Sequence, residues 1–168
     1  MKSMLVALLA MIGAVSAPAA GDPVRSPVEN EVAQLVAADQ VTIVHFWASW
    51  CSNCKAEHKD AGWKSFVQAN PDVKVVFVSI WGSAEDDRRM LDEYGLTGLP
   101  NFVALRHPNQ SRRREERMTH FLDLPVTWVP TTWVYRKGNL RYALNYGEVR
   151  FDLLAQLVAD STASWSHR

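Results

Sequence analysis

Two stretches of the chain are apolar without the alternation of a half-exposed strand, Val41 to Trp47 (VTIVHFW) and Val73 to Trp81 (VKVVFVSIW). Such β-branched and aromatic runs fit strands buried on both faces of a sheet. Elsewhere the apolar positions recur at helical spacing. Ser26-Pro27-Val28-Glu29 combines an N-cap serine, a proline at the first helical position and a capping-box glutamate, and with Val28, Val32, Leu35 and Val36 predicts a helix to about Ala38. A second helix is expected from Cys51 to about Ala69, before Asn70-Pro71 breaks it. Ser83 as cap, Glu85 and Asp86 in the first turn and Gly95 as terminator predict a third. Asn101 to Leu105 reads as a short strand, His107-Pro108-Asn109 as a turn, and Ser111 to about Leu122 as a charged helix. Thr131 to Tyr135, Lys137-Gly138-Asn139 and Leu140 to Tyr146 predict strand, tight turn and strand, followed by a closing helix with Phe151, Leu154, Leu157 and Val158 on one face. The order βαβα, a strand-helix insertion, then ββα is that of an α/β sheet layered with helices.

Composition narrows this picture little. The 168 residues suit one domain, and Lys plus Arg balance Asp plus Glu at 18 each, so overall charge points to neither nucleic acid nor a membrane surface. The N-terminus changes the picture more. Lys2, the apolar run Met4 to Val15 and the small-x-small Ala17-Pro18-Ala19 predict a cleaved export signal over residues 1–19, the run being short of the ~20 residues a spanning helix needs. An uncleaved anchor facing the periplasm is the alternative. A lead-in and helix are then expected over 20–40, the main domain over 41–160 and a tail over 161–168.

Export bears on the only two cysteines, Cys51 and Cys54. Outside the cytosol a pair can serve as a staple, but a loop of two intervening residues constrains the unfolded chain weakly. The pair falls where a buried strand gives way to a helix, whose unpaired N–H groups and positive dipole end favour a thiolate. Cys51, at the outer edge, is the candidate nucleophile for disulfide exchange, and Cys54, one turn on, the candidate resolving thiol. The competing readings are an inert staple and a metal site, since Cys51, Cys54 and His58 give C-x2-C-x3-H, although no second paired motif supplies the four ligands of a closed zinc site.

FWASWCSNCKAEH resembles the active-site segment of extracytoplasmic thioredoxin-like proteins of the TlpA/ResA/DsbE type, and VPTTWVYRKGNLRYALNYGEV resembles their proline-containing strand, hairpin and glycine segment. The resemblance spans roughly Val41 to Ala159. It implies a thioredoxin fold, a central mixed sheet flanked by helices, with a strand-helix insertion before the cis-proline strand. It also implies that Cys51 and Cys54 are the redox pair and that Pro130 is cis beside them. The Val129 backbone would pair with an extended substrate segment, and Trp50 would offer an apolar docking surface. Glu57 matches an acidic residue of the reductase branch that can accept the Cys54 proton; its bland reading is a solvated helix glutamate.

Three departures stand out. Asn53 replaces the usual proline before the second cysteine, His58-Lys59 follows Glu57 where a proline is common, and Thr131 lacks the match expected of cytochrome c maturation members. His45 stands where related proteins often carry Asp or Asn; it reads either as a group tuning thiol acidity or as a satisfied core histidine. Trp63, Trp81 and Trp133 read as core, and Arg112 to Arg117 as a solvated mixed-charge face. The function expected is disulfide exchange with protein substrates, as a reductase recharged by a membrane thiol–disulfide transporter, without a cofactor. The alternative is a copper-handling protein using the same cysteines, for which His120 is the only candidate ligand in the later insertion.

Overall fold

The computed structural model describes residues 25–145 and 147–163. The expected signal at 1–19, the start of the lead-in and the end of the tail lie outside the described residues. The elements in chain order are α1 (Pro27–Ala37), β1 (Val41–Trp47), α2 (Ser52–Ala56), a 3-10 turn (Lys59–Ala61), α3 (Gly62–Ala69), β2 (Lys74–Ser79), α4 (Ala84–Glu93), β3 (Phe102–Arg106), β4 (His120–Phe121), β5 (Leu124–Pro125), β6 (Thr131–Arg136), β7 (Asn139–Asn145) and α5 (Phe151–Thr162).

Five strands form one mixed sheet in the order β3-β2-β1-β6-β7. The central strand, β1, runs parallel to β2 and antiparallel to β6. All seven of its residues are buried, as an uninterrupted apolar run requires when helices cover both faces. Phe46, Trp63, Phe77, Phe121 and Trp133 dominate the core around it. The first helix starts as its sequence predicts: Ser26 Oγ accepts the Glu29 N–H and the Glu29 carboxylate accepts the Ser26 N–H. The second oxygen of Glu29 also accepts the Leu122 N–H at 3.1 Å, which ties α1 to the β4–β5 turn.

Two expectations fail. The helix expected from Cys51 to Ala69 is broken. Asp60 (φ 53°) and Ala61 (φ 57°) lie in the left-handed region, which ends α2 and its 3-10 turn before α3 starts at Gly62. A Cβ on Gly62 would lie 2.4 Å from the Glu57 carbonyl and 2.6 Å from Phe151 Cε2, so the kink brings two backbones closer than a side chain allows.

The charged helix expected from Ser111 to Leu122 is absent. The Asn109 and Ser111 side chains bond the local backbone and Glu116, closing one turn from Arg113 to Arg117. Met118 and Phe121 then turn inward, and the chain continues as the β4–β5 hairpin with Leu122 and Asp123 at positive φ. Burying those two side chains replaces a helix that would have been solvated on every face.

Candidate functional site

The site is assembled at the C-terminal end of β1, where the chain turns into α2. Cys51 caps α2 and Cys54 sits inside its first turn. The Cys54 N–H donates to Cys51 Sγ at 3.3 Å, and the Cys51 thiol donates to the Val129 carbonyl at 3.6 Å. Cys51 is 6% exposed and Cys54 fully buried, the order expected of an attacking and a resolving thiol. The Cys51 thiol is lowered to about 7, chiefly by its hydrogen bond with the Cys54 thiol, against burial and with help from the Cys54 and Asn53 N–H groups. Burial pushes the Cys54 thiol far up, and the Cys51 hydrogen bond adds to it. With α2 only five residues long, these first-turn N–H groups, rather than the dipole of a long helix, favour the Cys51 thiolate.

On the other side of Cys51 the Val129–Pro130 peptide is cis, and Thr131 Oγ1 donates to the Trp128 carbonyl at 3.0 Å, fixing the loop that carries Val129. Trp50 is 44% exposed. Its indole N–H donates to the Trp81 carbonyl, and the Arg112 guanidinium lies 4.5 Å over its ring. Trp81 takes a positive φ of 54°, and its indole Nε1–H donates to the Met118 carbonyl, so the insertion is stitched to the rim of the site. A groove of about 490 Å³ beside Trp50 is lined by Trp81, Lys55, Asp86, Tyr94 and Arg112 among others.

Below the cysteines lies a polar cluster that brings together His45 and Glu57, the two polar residues the sequence singled out near the pair. A histidine within a strand buried on both faces needs partners. In β6, Thr132 stands directly opposite His45, and its Oγ1 is 2.9 Å from His45 Nδ1. His45 Nε2 lies 3.1 Å from Glu57 Oε2, both side chains being inaccessible to solvent. Glu57 is thus a core residue, the reverse of a solvated helix glutamate. Its Oε2 also accepts the Trp63 indole N–H at 3.0 Å, and its Oε1 accepts the Val149 N–H at 2.8 Å. Burial alone would raise the Glu57 carboxyl, but His45, Trp63 and the Val149 N–H together hold it below the usual carboxylate range. Sequence reasoning missed Thr132, Trp63 and Val149 as members of this cluster. The legible signal was a polar residue inside the VTIVHFW run.

His58, the third member of the C-x2-C-x3-H pattern, is stacked flat on Tyr94 at 4.0 Å. Among the described residues no group of three or more His, Cys, Asp or Glu side chains is placed to hold a metal ion. His120 is exposed in β4 with its Nδ1 beside Thr119 Oγ1. The geometry therefore does not favour the copper-handling alternative.

The chain matches the thioredoxin-like domain family over residues 28–162. It is 30% identical over 112 residues to the thiol:disulfide interchange protein DsbD of Pseudomonas fluorescens, covering 65% of this chain and 19% of that protein. It is 35% identical over 69 residues to the sporulation thiol-disulfide oxidoreductase A of Bacillus subtilis, covering 40% of each. The chain thus spans about a fifth and two fifths of the lengths of these relatives. A secreted Mycobacterium tuberculosis disulfide oxidoreductase, homologous to Escherichia coli DsbE, shares the fold at TM-score 0.55 and 21% identity, covering 75% of this chain and 85% of that one. The sheet order, the strand-to-helix placement of the two cysteines and the family match agree: the chain belongs to the thioredoxin-like domain family.

Proposed function

We propose that this protein is an exported oxidoreductase that reduces disulfides of protein substrates outside the cytosol. The observation that carries the proposal is the position of Cys51, an acidified thiol held between the Cys54 N–H and the Val129 carbonyl. The Cys51 thiolate attacks one sulfur of a substrate disulfide. The substrate S–S bond breaks, a mixed disulfide forms, and the departing sulfur takes a proton from solvent. Cys54, giving its proton to Glu57 or to a water, then attacks Cys51 Sγ. The Cys51–Cys54 disulfide forms, the substrate leaves as a thiol, and two electrons have passed from protein to substrate.

In this reading an extended substrate segment pairs with the Val129 backbone beside Pro130 and rests on Trp50. Similarity to a protein named for thiol:disulfide interchange supports the exchange chemistry, and the Lys2, Met4–Val15 and Ala17-Pro18-Ala19 pattern supports export to the periplasm. No helix among the described residues is long and apolar enough to cross a membrane. An exported reductant must be recharged, and a membrane thiol–disulfide transporter is the partner suited to do so.

The test is the redox equilibrium of the pair against a glutathione series, read by alkylation and mass shift. A potential near the ~−270 mV of thioredoxin supports the reductase, whereas one near ~−120 mV reverses the direction of electron flow. Failure to form any intramolecular disulfide overturns thiol exchange itself.

A further inference from the structure

The run Arg112 to Arg117 reads in sequence as a solvated mixed-charge face, yet the structure brings its first arginine beside the nucleophile's neighbour. The Arg112 guanidinium lies 4.5 Å over the ring of Trp50, the residue before Cys51. Trp50 is itself held, its indole N–H bonded to the Trp81 carbonyl. Further along the run Arg117 sits 4.7 Å over the Trp81 ring, so both members of this hydrogen-bonded tryptophan pair carry a guanidinium. A guanidinium resting on an aromatic ring keeps N–H donors to spare, and those donors suit a carboxylate.

Charge in the groove beside Trp50 is not balanced. Arg89 engages both acids that line it, at 2.7 Å from Asp86 and 3.9 Å from Glu93. Lys55, one turn of α2 after Cys51, and Arg112 line the same groove and are exposed. Among the described residues neither has a carboxylate partner. The surplus positive charge therefore lies on α2 and on Trp50, beside the cysteine pair. Because the whole chain is balanced at 18 basic and 18 acidic residues, this excess is local. At about 490 Å³ the groove has room for a side chain of another polypeptide.

We infer that this groove selects the substrate: Lys55 and Arg112 bind a carboxylate of the substrate polypeptide, on an Asp or Glu close in sequence to the cysteine under attack. An extended segment places a residue two positions from that cysteine on the same face and about 7 Å away, which suits a groove that begins at the residue beside Cys51. Trp50 then supports Arg112 as well as offering apolar contact. The two cations orient the substrate and touch no reacting sulfur. The inference deepens the thiol-exchange reading and rests on it, naming the class of polypeptide that the site prefers.

The experiment presents the reduced protein with disulfide-linked dimers of a short single-cysteine peptide carrying Glu, Gln or Lys two positions to either side of the cysteine. Either sulfur of such a dimer offers the same sequence. Cys51 attacks one of them, the peptide S–S bond breaks and one peptide leaves as a thiol; Cys54 then displaces the second, and the Cys51–Cys54 disulfide forms. The rate of protein oxidation is read by alkylation and mass shift at about 0.15 M salt, where charges more than about 8 Å apart are largely screened. Dividing it by the rate of the same dimer with dithiothreitol, an uncharged dithiol, removes intrinsic differences in reactivity.

In wild type the Glu dimer is expected to react about tenfold faster than the Lys dimer, with Gln between them. The double variant Lys55→Glu/Arg112→Glu should invert that order, which a merely structural role for these residues would not do. Arg114→Glu, an equally exposed charge that does not line the groove, should keep the wild-type order. Equal normalised rates for the three dimers in wild type overturn the inference and leave the exchange function standing. Oxidation by none of them overturns the exchange function, and the inference with it. A wild-type order that persists in the folded double variant, or that Arg114→Glu abolishes as fully, also overturns the inference. The wild-type comparison needs no variant, so it decides even where the double variant fails to fold.

Discussion

Cys51 Sγ and the Val129 carbonyl oxygen lie 3.6 Å apart although 78 positions separate them in sequence. The contact joins the turn after β1 to the loop before β6. Because β1 and β6 are paired directly, from Val41 with Arg136 to Phe46 with Thr131, the position of this loop relative to the cysteine is set by the ladder.

Alkylation of Cys51 should follow its thiolate. With the thiol lowered to about 7, the rate with iodoacetamide is expected to reach half its maximum near pH 7 and to fall about tenfold per unit below that. Cys54, buried and pushed up, should stay unmodified in the folded protein. Mass spectrometry of the reduced protein over a pH series checks both points, and preferential labelling of Cys54 would reverse the assigned roles.

Cys54→Ser should stop the cycle at the first step. Cys51 then remains joined to the substrate, so a mixed disulfide accumulates and is seen as a reducible mass increase, whereas Cys51→Ser gives no adduct. Turnover that persists in either variant would show that the pair does not work as attacking and resolving thiols.

Glu57→Ala leaves His45, the Trp63 indole N–H and the Val149 N–H without their common acceptor. Removing one partner of a buried pair costs about 3–5 kcal/mol, and urea denaturation should show a loss of that order at unchanged m. Glu57→Gln, which keeps an acceptor oxygen, should cost less. Equal stability of wild type and Glu57→Ala would mean that the cluster contributes nothing to folding.

Acid should weaken the fold in two overlapping steps with distinct causes. Burial, reinforced by the nearby His45, lowers His58 from 6.5 to about 4. The unfolded chain therefore binds the extra proton at higher pH, and stability falls as pH drops from about 6.5 to about 4, by roughly 3 kcal/mol in all. Glu57, held below its ordinary 4.5, adds stability that is present above that pH and lost as pH falls through its lowered folded value. His58→Phe retains a ring against Tyr94 and should flatten the upper part of the profile. Chemical denaturation at half-unit pH intervals would show whether the slope survives the substitution.

Gly62→Ala should cost about 1–3 kcal/mol, because the added methyl would fall 2.4 Å from the Glu57 carbonyl. Moving that carbonyl would disturb the residue that holds His45. A shift in denaturation midpoint smaller than the error of the measurement would show that the kink relaxes freely.

Much of this protein could be read locally. The uninterrupted runs at Val41 to Trp47 and Val73 to Trp81 imply strands covered on both faces, Ser26-Pro27-Val28-Glu29 starts a helix, and two cysteines at a strand-to-helix junction point to thiol chemistry; each signal lies within a few residues of the feature it predicts. The failures are of a different kind. The break at Asp60 and Ala61 exists because Gly62 must pass close to Phe151, and the helix expected after Ser111 gives way because Met118 and Phe121 find a core to enter. Glu57 illustrates the limit most plainly. As a sequence position it is a glutamate on a helix, equally suited to solvent; only the tertiary structure puts it against His45 from β1 and against the Val149 N–H, 92 positions away. Hydrophobic period and capping chemistry depend on neighbours in sequence, so the sequence by itself determines the two buried strands, the start of the first helix and the placement of the cysteine pair. The partner of a buried charge depends on which elements are packed together, and that is decided only when the sheet and its helices close around it.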